Sequence, residues 1–228
     1  MRIRAFMALA LALLITPSQW NVEVQDPGNI LNYLVLIGGE LVVGVCLGFG
    51  IMIIFHGMEL AGEMIGYVGG LLLAEAYDPS WDANVPIISR LFFLVSLSIF
   101  VCIGGHRLVM AGLLDTFQAI PPGNGVFSRS ISEAFFTLLT QSYSLGIRAA
   151  APATLALLLA TLILGLISRT VPQLNVLVLG LGLNSLLIFG ALALTLGTAA
   201  WTFQEQIEPA LEVLLDALHT PLSAQWFS

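Results

Sequence analysis

The chain has 228 residues, of which 58% are hydrophobic and only 9% charged, with a mean hydropathy of +0.97. A soluble domain carries about 25% charged residues, so this composition excludes an ordinary water-soluble fold and points to an integral membrane protein. A net charge of −7, with seven arginines and no lysine, excludes nucleic-acid partners, because nothing here neutralises a run of phosphates.

Residues 2–16 carry two arginines followed by a short apolar core, which fits either a secretory signal or a short membrane helix. Thr16-Pro17-Ser18-Gln19-Trp20 is a poor cleavage site, and the rest of the chain is membrane-like, so the helix reading is preferred. Asn21–Asn32 is a polar connection with turn chemistry at Asp26-Pro27-Gly28-Asn29. Leu31–Met58 is then apolar apart from Glu40 and His56, ample for a span of about 20 residues. Gly44 and Gly48 give it one small-xxx-small step.

The stretch Glu59–Arg90 breaks the pattern. It holds six of the 21 formal charges, five of them acidic, between runs with almost none. If the helix continues, Glu59, Glu63, Gly66 and Gly70 share one face, and Gly62, Gly66 and Gly70 form a double GxxxG step beside it. A carboxylate facing lipid is costly, so this face is expected to meet protein or water. Asp78-Pro79-Ser80 then breaks the helix. From there to Asn84, two readings stay open: an ordinary external loop, or irregular backbone lining a passage at membrane depth.

Val85–Ile103 is a further apolar span, closed by Gly104-Gly105-His106-Arg107. Leu108–Ile120 contains Asp115 and is short for a crossing, which fits a re-entrant or interfacial segment. Pro121–Gly125 ends it. Ser128–Gln141 reads as an interfacial helix, and Ala149–Ser168 with Leu174–Thr202 as a hairpin of membrane-length helices. At its tip, Thr170 and Gln173 have capping-box spacing and Pro172 falls in the first turn of the second helix. The tail Phe203–Leu218 alternates acidic and apolar residues at helical spacing, and Pro209 offers a restart point.

Enzymatic signatures do not emerge from these residues. There is no phosphate-binding glycine loop, no GxSxG elbow and no HExxH spacing among His56, His106 and His219. Cys46 and Cys102 sit in apolar runs and read as small hydrophobes. Glu75, Asp78 and Asp82 could bind a metal, but no further ligand completes a site, so neither metal, cofactor nor catalytic residue is expected. A stand-alone ion-coupled transporter using Glu40, Glu59 and Glu63 is the alternative reading, although matched inverted repeats are lacking.

Several motifs together resemble a known family, the flagellar biosynthesis protein FliR and its counterparts in virulence-type type III secretion. The most specific is Gly165-Leu166-Ile167-Ser168-Arg169-Thr170-Val171-Pro172-Gln173-Leu174-Asn175, similar to the family's G-L-x-x-R-x-x-P-Q-L-N hairpin. In order before it come Gly62-Glu63-x-x-Gly66, Asp78-Pro79, Pro86 with Arg90, Gly105-His106, Asp115-Thr116-Phe117 and Pro121–Gly123. The departures are local. The family's usual first apolar helix, ahead of the segment matching Arg2–Pro17, is missing, and its Gly-Phe-Pro step is Gly180-Leu181-Gly182 here, with Asn184 at the usual basic position.

The resemblance implies a single all-α domain of polytopic helical hairpins, packed into a hetero-oligomeric export gate in the bacterial inner membrane. It implies FliP-like and FliQ-like partners, an FlhB-like component, and unfolded polypeptides as cargo. The flagellar setting is the expected one. By the same resemblance, about Gly69–Val85, with Gly70, Glu75, Asp78, Pro79 and Asp82, would be a lumenal plug. Glu59, Gly62, Glu63 and Gly66 would pack helices or face the pore, and Arg169, Pro172, Gln173 and Asn175 would form the hairpin.

Overall fold

The computed structural model describes residues 2–19, 28–70, 86–119, 129–170 and 176–219, and every regular element among them is helical. The fold is all-α. Helix α1 (Arg2–Ile15) runs into a 3-10 turn (Thr16–Gln19), followed by α2 (Ile30–Gly69), α3 (Ile87–Cys102), α4 (Gly105–Ala119), α5 (Arg129–Thr170) and α6 (Val176–His219).

Three helices are longer than hydropathy alone suggests. The interfacial segment and first hairpin arm read from the sequence are one helix, α5, and the second arm and acidic tail are one helix, α6. Charge and polarity interrupt the apolar windows there but not the helix. Pro152 and Pro209 both lie inside helices and deprive the carbonyls of Arg148 and Glu205 of a backbone donor. At 1.5 Å rise per residue, α2, α5 and α6, with 40, 42 and 44 residues, are each about 60 Å long. That is twice a hydrocarbon core of about 30 Å.

Pairwise contacts give the helix directions. Phe49 meets Phe135 edge-on at 5.6 Å, and further along both chains Ser142 Oγ donates to the Ile53 carbonyl at 2.6 Å. Residue numbers rise together, so α2 and α5 are parallel. Leu214 sits at Gly50, Phe203 at Phe55 and Ile188 at Gly69, so α6 is antiparallel to α2. The core lies where these three helices meet α3. Phe55 anchors it, with ring centroids 5.9 Å from Phe93, 5.3 Å from Phe100 and 5.7 Å from Phe203. Met58, Ala61, Ile65, Phe92 and Leu138 are wholly shielded around it.

Helix α3 packs against α2, and α4 turns away from α3 by 69°. The bend is made at Gly104, whose φ of +78° is open to glycine and strained for other residues. Its carbonyl accepts from the Arg107 N–H at 2.8 Å and so starts α4. Leu215 of α6 lies over Gly112 of α4, which places α4 against the last turns of α6.

The bundle leaves two apolar projections at opposite ends. No residue from 30 to 42 of α2 is buried, and Ile30, Leu31 and Val35 are each at least 70% exposed. At the far end α2 stops at the level of Leu157 and Ile188, and no residue from 158 to 170 of α5 is buried. Helix α1 exposes almost its whole length. By length and composition α2, α5 and α6 each suffice to cross a membrane, and the bent pair α3–α4 is a candidate fourth span.

Candidate functional site

The acidic and glycine-rich end of α2 is built from its own helix outward. α2 continues through Glu59 and Glu63 without a break, since no proline or αL residue occurs before Gly70. It ends there because Gly70 adopts φ +73°, with its N–H turned back on the carbonyls of Gly66 and Tyr67.

On this segment the Glu59 carboxylate pairs with His56 one turn earlier, Oε2 to Nδ1 at 3.2 Å. Glu63 is half-buried on the same face. The Glu59 backbone carbonyl accepts a second bond, from Ser89 Oγ of α3 at 2.8 Å. That bond is short because α2 and α3 nearly touch: a Cβ on Gly62 would lie 2.4 Å from Ser89 Cα and 2.7 Å from its N.

A second crossing lies one and a half turns earlier. A Cβ on Gly57 would sit 2.5 Å from the Ser142 carbonyl oxygen, and one on Gly146 would sit 2.7 Å from the Gly57 carbonyl oxygen. Ser142-x-x-x-Gly146 is a small-xxx-small step on α5, a signal present in the sequence and not singled out there. Gly44 and Gly48, which were, have nothing within 4 Å of a built Cβ. Gly66 is buried, yet it too has nothing within 4 Å, so among the described residues the close approach to a neighbouring backbone belongs to Gly57, Gly62 and Gly146.

Gly62 abuts the first turn of α3, and α2 leaves that crossing on the side from which α3 enters. The residues that flank 71–85, Gly70 and Pro86, therefore lie on the same side of this crossing. Gly69 lies against Ile188 and Leu157, and Pro86 precedes a first turn whose Arg90 guanidinium stacks 5.5 Å from the Phe93 ring centre. Of the expected plug positions only Gly69 and Gly70 are described; Glu75, Asp78, Pro79 and Asp82 lie outside the described residues.

At the hairpin, Arg169 is exposed on the last turn of α5, while Pro172, Gln173 and Asn175 lie outside the described residues. The capping box expected of Thr170 needs Gln173, which lies outside the described residues. Thr170 is the last residue of α5, and its hydroxyl donates back to the Leu166 and Ile167 carbonyls at 3.3 and 3.0 Å. A threonine on a final helical turn satisfies orphan carbonyls of its own helix as readily as it caps the next.

Glu40 and Glu59 are 19 positions apart on one continuous helix, about 28 Å along its axis, so they do not share a site. Among the described residues no three His, Cys, Asp or Glu side chains converge as a metal site.

Comparison with known proteins adds the following. The family described as bacterial export proteins, family 1, matches residues 1–210. The flagellar biosynthetic protein FliR of Escherichia coli K12 is 31% identical over 187 residues, covering 80% of this chain and 69% of that protein. FliR of Aquifex aeolicus is 29% identical, covering 80% and 70%. The secretion system apparatus protein SsaT of Salmonella typhimurium is 28% identical over 166 residues, covering 71% and 62%.

Proposed function

This chain belongs to the bacterial export proteins, family 1, and we propose that it is a non-enzymatic subunit of the inner-membrane export gate of a type III secretion system, in the flagellar setting. Relatives named for flagellar biosynthesis and for a secretion apparatus support the class.

One observation carries the reading that it works inside an assembly. From the start of α2 to the end of α5 the exposed apolar surface extends along about 80 Å of helix, about 60 Å of α2 plus about 20 Å of overhang. A hydrocarbon slab of about 30 Å cannot cover both ends. Contiguous apolar surface outside lipid marks a protein interface. We therefore assign the uncovered end to FliP-like and FliQ-like neighbours, with an FlhB-like component beside them.

In this assembly the 71–85 connection is the plug of a channel for unfolded export substrates. Its support is the pair of rigid anchors at Gly69–Gly70 and Pro86 and the acids Glu75, Asp78 and Asp82 within it. Co-expression with the two smaller partners and purification in detergent tests the function. A stable particle containing all three is expected; recovery of this chain as a lone monomer in their presence overturns it.

A further inference from the structure

Midway along the bundle, α2, α5 and α6 leave a cavity of about 10 Å³ between them, about the space one water requires. Gln206, on α6, is one of the residues that line it, and its Oε1 atom is shut off from solvent and has no hydrogen-bond partner among the described residues. Ser142 and Gln141 of α5 line the same cavity.

The donor and acceptor inventory decides what fits. A carboxamide oxygen only accepts. Ser142 has one hydroxyl proton, already given to the Ile53 carbonyl at 2.6 Å, so towards the cavity it also only accepts. Two acceptors with no donor between them repel an anion and gain nothing from an apolar group. They call for a small molecule with two donors, and the Gln141 amide can supply a third bond to its oxygen.

We propose that this cavity is a binding site for a single ordered water, which donates to Gln206 Oε1 and Ser142 Oγ and accepts from the Gln141 amide. The water completes a polar junction of all three long helices at the level where α2 crosses α5. Elsewhere in the core the contacts between these helices are largely apolar.

The test uses the full chain in its purified complex. A density map fine enough to show waters is expected to have a peak within hydrogen-bond distance of Gln206 and Ser142. Hydroxyl-radical labelling by X-ray radiolysis is expected to oxidise Leu138 and Leu145, which line the cavity and are 0% and 2% exposed. Such labelling needs a water beside the side chain. Gln206→Met removes the acceptor and Ala210→Val fills the cavity. Either is expected to lower the labelling of both leucines to that of Leu157, equally buried at 1% but away from the cavity. The proposal is overturned if the map shows the Gln206 amide turned so that its NH2 sits directly on Ser142. It also falls if lipid or a side chain fills the space, or if labelling is the same in wild type and both variants.

Discussion

Replacing Gly62 by alanine tests the close crossing of α2 and α3. The new Cβ would start 2.4 Å from Ser89 Cα, 2.7 Å from Ser89 N and 2.8 Å from the Ile88 carbonyl oxygen. All three are backbone atoms, so no side chain can swing aside. Restoring ordinary carbon contact near 3.5 Å requires the helices to part by about 1 Å. That separation also stretches the Ser89 Oγ to Glu59 carbonyl bond, now 2.8 Å. Overpacking costs about 1–3 kcal/mol, and an interhelical hydrogen bond in a membrane protein is worth about 0.6 kcal/mol. Alanine's better helix propensity returns about 1 kcal/mol. The net loss is about 2 kcal/mol, or about 4–8 °C in thermal midpoint at the slope typical of a chain this size. Gly66→Ala is the internal control, because its Cβ enters open space and carries only the propensity gain. Thermal unfolding of the purified complex, followed by tryptophan fluorescence or light scattering, reads both. Equal midpoints for the two variants would refute the crossing geometry.

Three further outcomes follow from other positions. Gly104→Ala places a side chain at φ +78°, which costs about 1–2 kcal/mol; a lower melting temperature is expected, and an unchanged one would mean that the α3–α4 bend is made elsewhere. Ser142→Ala removes the second donor to the Ile53 carbonyl, which keeps the bond from the Gly57 N–H within α2, so a loss of only about 0.6 kcal/mol is expected, measured by the same melt. Deleting residues 75–82 from the assembled complex is expected to raise its ion conductance in reconstituted vesicles; unaltered permeability would reject the plug.

Much of this was legible because membrane composition and helix punctuation are local signals. The entry after Pro86 and the bend at Gly104 sit where proline or glycine punctuates the sequence, whereas α2 stops at Gly70, eight residues before the break expected at Asp78-Pro79. What periodicity could not decide is which glycine of a stripe meets a neighbour. Gly62 and Gly66 lie on one face one turn apart, but crossing helices touch closely over little more than a turn, so only Gly62 lies at the contact. The joining of α5 and of α6 into single long helices was hidden for a different reason. Glu133, Arg148 and the acids at 205–216 lower hydropathy while leaving helix propensity high, and their side chains are largely on the exposed face. The acidic plug positions and most of the hairpin motif rest on the sequence alone.

The parallel pairing of α2 with α5 also governs the order in which the chain can fold. The Ser142–Ile53 bond joins residues 89 positions apart. At a synthesis rate of about 5–20 residues per second, the face of α2 around Gly57 therefore waits about 5–20 seconds for its partner to be made. α3 arrives sooner and covers the side of α2 at Gly62. The α2–α3 pair is thus the earliest long-range contact available to the nascent chain, and the Gly57 groove is a nonlocal closure that must stay free of competing helices until α5 arrives.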